Sequence, residues 1–309
     1  MEQMYDVLIV GGGPAGISGG VYAARKRLKT LFLTYDFGGQ STASSTVENW
    51  IGILSITGPD LGKLLKRHLD NYRGDFLEVV DRVKVAKIEK IDNGFKAITE
   101  DGREFTGKTV LLATGSKRRK LSVPGAAEYE GKGIVYCASC DAPLFEGMDV
   151  AVIGGGNAGF ETASQLLPYA KSITILDQLP NFRAEAITME KLLKDPKVTG
   201  ITGVTITGVQ GDKFVTGLSY RSAAGEEKIL PVKGIFVEIG NVPESTAVQK
   251  LAEITPGSAI KIDPRTQRTT FEGIWAAGDC TDSLYHQNNI AAGAGVIALE
   301  DIYNYLLKK

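Results

Sequence analysis

Among its 309 residues the chain has only three cysteines, two histidines and two tryptophans. Four ligands for a structural zinc ion are not at hand, because there is no second cysteine pair and no spaced histidine pair. No metal is therefore expected. The formal net charge is -1. That removes the electrostatic case for nucleic acid or an anionic membrane as partner. No apolar run approaches the roughly 18 residues of a membrane span. The opening "MEQMYDVLIV" lacks the basic region and cleavage site of a secretory signal. The expected compartment is the cytoplasm. Closely spaced cysteines there are more often catalytic or metal-binding than structural.

Glycine is not scarce: there are 37, many of them in a few clusters. In "YDVLIVGGGPAGISGGVYAARKRLKTLFLT" an apolar strand, Val7 to Val10, runs into Gly11, Gly13 and Gly16 around Pro14 and Ala15. A helix pattern to about Arg27 and a strand from Leu31 to Leu33 follow. Strand, GxGxxG, helix and strand in that order point to a dinucleotide site. The glycines permit a tight turn and close approach of a pyrophosphate, and the helix N-terminus supplies N–H groups. The design recurs in "MDVAVIGGGNAGFETASQLLPYAKSITILD", with Gly154, Gly156, Asn157, Ala158 and Gly159 at the turn. Two such units in one chain suggest two dinucleotides and electron transfer between them.

The fold class expected is α/β, with two doubly wound, Rossmann-like domains. Each carries an antiparallel β insertion. Turns at Asp92-Asn93-Gly94 and Asp101-Gly102 mark the first insertion; residues 205–240 read as a meander in the second. The first domain is expected over 1–116 and again over 243–309, with the second, 117–242, inserted between them. The two connecting stretches can act as a hinge.

"YCASCDAP" holds the remaining signal: Cys137 and Cys140, two residues apart, with Asp141 directly after. A disulfide closing so small a loop stabilises little. A redox-active dithiol is the favoured reading, since a thiolate at a turn entering a helix is a good nucleophile. Cys280 lies apart from this pair and reads as a packing residue.

"GGGPAG", "FGGQSTASSTVENWIG", "ATGS", "YCASCDAPLFEG", "GGGNAG", "AAGDC" and "YHQNNIAAGAG" together resemble the low-molecular-weight thioredoxin reductases, in that family's order and over essentially the whole chain. The resemblance implies FAD in the first domain, the redox cysteines in the second, and a homodimer. By position, Gly11, Gly13 and Gly16 would face the FAD pyrophosphate. Asp36, Gly38, Gly39, Gln40, Ser41 and Asn49 would line the flavin and adenosine region, near Ala113, Thr114 and Gly115. Gly278 and Asp279 would meet the ribityl and phosphate part, with Gln287 and Asn288 near the isoalloxazine. His286 divides evenly between an FAD contact and a structural role. Of the dithiol, Cys140 would be nearer the flavin, Cys137 would attack the protein disulfide, and Asp141 would serve as general acid and base.

One departure bears on the electron donor. NADPH-dependent members carry an arginine cluster after the strand of the second unit; here the segment is "ILDQLPNFRAEA", with only Arg183. Asp177 ends that strand, about 20 residues past the turn, where an acid hydrogen-bonds a free ribose 2′-OH. NADH is expected over NADPH. The same segment is similar to the flavoprotein component of alkyl hydroperoxide reductase. The expected function is electron transfer from NADH through FAD and the dithiol to thioredoxin or a thioredoxin/glutaredoxin-like protein. Two alternatives stay open: a reductase of this fold fed by ferredoxin or another donor, and a flavin oxidase or peroxide-system component.

Overall fold

The computed structural model describes residues 4–44 and 46–309, with the side chains of Ser139 and Cys140 outside the described set. The chain forms two compact units. One comprises the residues up to Lys117 together with Val242–Lys309, and the other is Arg118–Asn241.

The first unit opens with β1 (Met4–Val10), α1 (Pro14–Arg25) and β2 (Thr30–Leu33). Arg27 adopts a left-handed conformation, φ 57°, which ends α1 short of the sequence pattern. Then come α2 (Gly58–Asp70) and β3 (Leu77–Val80). Leu61, Leu65 and Leu69 are spaced to share one face of α2, and that face is buried. Strands β4 (Val85–Ile91), β5 (Gly94–Thr99) and β6 (Glu104–Leu112) follow, and β7 (Ser116–Arg118) leaves the unit.

The second unit runs β8 (Ile134–Val135), α3 (Ala138–Asp141), β9 (Asp149–Ile153) and α4 (Asn157–Leu166). It continues with β10 (Ser172–Leu176), α5 (Ala186–Leu193) and β11 (Val198–Ile201). Three antiparallel strands, β12 (Thr205–Gly211), β13 (Val215–Arg221) and β14 (Glu227–Pro231), form a separate sheet before β15 (Gly234–Val237). The chain returns through β16 (Asn241–Pro243), which pairs with β7, and finishes with β17 (Ile274–Ala276) and α6 (Asn288–Leu306).

Among the described residues the main sheets are ordered β3-β2-β1-β6-β5-β4, with β17 also on β6, and β11-β10-β9-β15-β8. The second is wholly parallel, and so is the β3-β2-β1-β6 part of the first. Both faces of these strands are covered, which is why they read as unbroken apolar runs. The α/β class with two doubly wound sheets is the observed one. The first antiparallel insertion, however, is no separate layer. β6 pairs with β5 through its first half and with β17 through its second, and with β1 along its other edge. One strand thus serves both the meander and the parallel core.

The two turns are built alike. A Cβ on Gly11 would stand 2.1 Å from the Ala113 carbonyl oxygen, and one on Gly154 2.1 Å from that of Glu238. A Cβ on Gly16 would stand 1.9 Å from the Gly11 oxygen, and one on Gly159 1.8 Å from the Gly154 oxygen. Helix and strand ends therefore touch backbone to backbone. The middle positions differ: a Cβ on Gly13 or Gly156 meets nothing within 4 Å.

These contacts generate a paired prediction. Gly159→Ala overpacks the turn and should lower the stability of the second unit by about 2 kcal/mol or more. Gly156→Ala should stay within about 0.5 kcal/mol of the parent. Denaturant unfolding followed by hydrogen exchange in β9 distinguishes the two; equal stabilities would contradict this packing.

Candidate active site

A cleft of about 540 Å³ opens in the first unit at the carboxyl ends of β1 and β6. This is the switch point of the sheet, where a doubly wound fold leaves a crevice. Most of the residues singled out from sequence line it: Gly11, Gly13, Pro14 and Ala15 from the turn; Asp36, Gly39, Gln40 and Ser41 after β2; Ala113, Thr114 and Gly115 after β6; and Gly278, Asp279 and Asn288 from the last stretch. Ser41 donates to the Asn288 side chain at 2.8 Å, and Gln40 donates to the Ser116 carbonyl at 2.6 Å. Thr114 donates to the Glu244 carbonyl at 2.5 Å.

Others stand behind or beside the cleft. Gly16 is buried under the turn. Gly38 (φ 92°) donates its N–H to the Gly12 carbonyl at 2.8 Å and lies against Gly62. The Asn49 side chain donates to that of Gln287 at 3.1 Å. His286 Nδ1 is 3.4 Å from Asp279 Oδ1. Lining residues that the motifs did not reveal include Thr34, Lys84, Glu100 and Thr246. Thr34 directly follows β2, whereas Lys84, Glu100 and Thr246 come from segments that only the tertiary fold brings to the cleft, and no local signal marks those three. Cys280 is fully buried among apolar residues, and burial pushes its thiol up.

In the second unit Asp177 is only 6% exposed, although it is a carboxylic acid. Backbone donors account for this. The Gly155 N–H donates to Oδ2 at 2.6 Å, and the Leu179 N–H donates to Oδ1 at 2.8 Å. The strand-end acid is therefore locked onto the glycine turn. Residues 178–185 fold back over that turn. The Arg183 N–H donates to the Gly155 carbonyl at 2.8 Å, and the Glu185 N–H donates to Asn157 Oδ1 at 2.8 Å. Phe182 packs over Gly155 and Gly200 and meets Phe160 edge-on at 5.2 Å. Asn157, singled out as a ligand contact, here anchors this loop; its neighbour Ala158 is exposed.

The same unit carries the cysteine segment. Cys137 caps the four-residue α3, its carbonyl accepting from the Asp141 N–H at 3.1 Å. Cys137 is disulfide-bonded, whereas Cys280 is a free thiol. The Cys140 side chain lies outside the described residues. Burial pushes the Asp141 carboxyl up from its ordinary value. Ala138, Ala142 and Phe145 seat the segment on the sheet core, where the Phe145 and Phe236 rings meet edge-on at 5.1 Å. Among the described residues no cluster of three or more potential metal ligands occurs, and no helix is long and apolar enough to cross a membrane.

Comparison with known proteins bears on this arrangement. The model of the pyridine nucleotide-disulphide oxidoreductase family matches residues 5–299. The chain is 38% identical over 308 residues to an NADH dehydrogenase of Bacillus subtilis, covering 99% of this chain and 60% of that protein. It is 38% identical to an alkyl hydroperoxide reductase component of Pseudomonas aeruginosa, covering 99% and 59%. It thus spans about three fifths of the length of these curated relatives. Thioredoxin reductase of Lactococcus lactis superposes with a TM-score of 0.93 at 33% identity, covering 99% of this chain and 100% of that one. With the whole described fold and nearly the whole sequence accounted for, the chain belongs to the pyridine nucleotide-disulphide oxidoreductase family and is of the low-molecular-weight thioredoxin reductase type.

Proposed function

We propose that the protein is a flavin-dependent protein-disulfide reductase. In this reading it uses FAD and prefers NADH over NADPH. Cys137 and Cys140 form its redox pair, thioredoxin or a similar small redox protein is its substrate, and it works as a homodimer in a reducing compartment such as the cytoplasm. The observation that carries this is the disulfide at Cys137, followed by a partly buried acid, in the same unit as the second glycine turn.

The first-unit cleft suits FAD. The long helices α1 and α6 both begin at its wall, so their N–H groups and positive dipole ends suit an anionic pyrophosphate and electron-rich ring oxygens. Gly13 leaves room beside α1 where a side chain would intrude. Asp279 offers a carboxylate to ribityl hydroxyls. When bound, FAD supplies a two-electron centre between the dinucleotide and the disulfide. The chain's own part is to hold these groups and to manage protons. Asp141 is suited to the second task, because an acid whose pKa is raised can protonate a departing thiolate.

Nucleotide choice rests on Asp177. Its burial and its two backbone bonds fix a carboxylate at the strand end. A 2′-phosphate brings close to two negative charges. One unit charge about 4 Å from another costs roughly 4 kcal/mol at an effective dielectric near 20, less where solvent screens it. Arg183 is the one basic residue between Asp177 and Ala186 to offset this. NADH should therefore exceed NADPH by about 10²-fold in kcat/KM, since each 1.4 kcal/mol is about tenfold. Asp177→Asn keeps the side-chain volume and one acceptor while removing the charge, and should narrow the gap about tenfold, mainly by helping NADPH. Stopped-flow flavin reduction with each dinucleotide is the test. Faster reduction by NADPH would refute the preference; reduction by neither would favour a different electron donor.

The dithiol and its acid generate a second prediction. Cys140→Ser should abolish reduction of protein disulfides and trap a mixed disulfide at Cys137, while dinucleotide still bleaches the flavin. Near-normal disulfide reduction by this variant would show that the pair is not the relay. Asp141→Asn should slow the same step by about 10²-fold. The raised pKa of Asp141 sets the sign of its pH dependence. The acid form persists to higher pH than for an ordinary aspartate, so the wild-type rate falls as pH rises through that pKa. The asparagine variant should lose that limb of the profile.

A further inference from the structure

Glu238 occupies the place in the second unit that Ala113 has in the first. Each follows the strand next to the glycine turn, donates its N–H to the last residue of the central strand at 2.7 Å, and turns its carbonyl toward the first glycine. Ala113 leaves its crevice open. Glu238 puts a carboxylate there, with its side chain only 8% exposed.

That carboxylate has specific partners. Arg118 Nη1 donates to Glu238 Oε1 at 2.7 Å, and Thr162 of α4 donates to the same oxygen at 2.9 Å. The same Arg118 nitrogen also donates to the backbone carbonyl of Tyr136, the residue before Cys137. One guanidinium thus ties the end of β15 to the peptide that enters the cysteine segment. Burial pushes the Glu238 carboxyl up and Arg118 pulls it back down. The pair is half-buried, with the Arg118 side chain 30% exposed, so desolvation and solvent screening offset much of its attraction. Its position therefore calls for another role.

We propose that Arg118 and Glu238 are positioning residues for the dithiol, fixing the Tyr136 peptide and setting, through their charge balance, how readily Cys137 ionises when reduced. This rests on the reading of Cys137 and Cys140 as the redox pair. One further acid belongs to the same field: Glu161 on α4 interacts electrostatically with both Arg118 and Glu238. Asp141, the other acid of the cysteine segment, closes α3. Without Arg118, Glu238 and Glu161 would lose the cation that both interact with, behind the peptide that leads into Cys137. With Glu238 neutral, the Arg118 charge would be less compensated.

The two substitutions should therefore act in opposite directions. In the reduced, FAD-loaded protein under anaerobic conditions, the rate at which iodoacetamide alkylates Cys137 across pH, read by peptide mass, reports the thiolate. Arg118→Met should raise the apparent thiol pKa and slow alkylation at neutral pH by about threefold or more, and Glu238→Gln should lower it and speed alkylation by a similar factor. The double variant should return toward wild type. A merely structural role would move both single variants the same way, and that result, or no change in either, would overturn the proposal. If Arg118→Met does not fold, Glu238→Gln alone decides, and slower or unchanged alkylation overturns it. A wild-type disulfide that dithiothreitol cannot open would instead overturn the redox reading itself, and this proposal with it.

Discussion

In both units a carbonyl oxygen stands where a side chain would begin. The first glycine of each turn lies against the neighbouring strand end, and the third lies against the first. Any Cβ at these four positions would push strand, turn and helix apart. Because the contact is backbone to backbone, the helix N-terminus is held at the carboxyl end of the sheet. The crevice therefore forms at the point where strand order reverses. The N–H of the first glycine completes the arrangement by donating to the last residue of the adjoining strand, Leu33 at 2.9 Å in one unit and Leu176 at 2.8 Å in the other.

From this shared frame the units diverge through a few side chains. After β6 stand small residues, Ala113, Thr114 and Gly115, and a large cleft remains. After β15 stand Glu238, Ile239 and Gly240, and the crevice acquires an ion pair. Buried Asp177 accepts the turn's own N–H, and Phe182 packs over the same glycine. The cysteine segment rests on the core of this second sheet. The second glycine turn, Asp177, Glu238 and the cysteine segment thus all lie at strand ends of one parallel sheet.

Much of this was legible in the sequence, because strand, turn and helix are written in contiguous residues. Val7–Val10 and Val150–Ile153 fall within observed strands, and both glycine turns open helices at the expected places. The dual use of β6 was not legible, since strand pairing depends on register between distant segments. The bonds that bury Asp177 were hidden for a different reason: they come from backbone N–H groups, which carry no residue code. The bond by which Asn157 Oδ1 accepts from the Glu185 N–H, holding the 178–185 loop, was hidden for the same reason. Arg118 and Glu238 lie 120 residues apart and match no motif, so only the fold brings them together.

Electron transfer from a reduced dinucleotide to the disulfide of the second unit is the step on which the proposed function turns. Anaerobic titration with NADH, followed by alkylation and peptide mass analysis, addresses it directly. Uptake of about two equivalents per chain is expected, one for the flavin and one for the disulfide, with Cys137 and Cys140 becoming alkylated and buried Cys280 staying unmodified. Bleaching of the flavin after one equivalent, with no thiol appearing between Ile134 and Phe145, would contradict it.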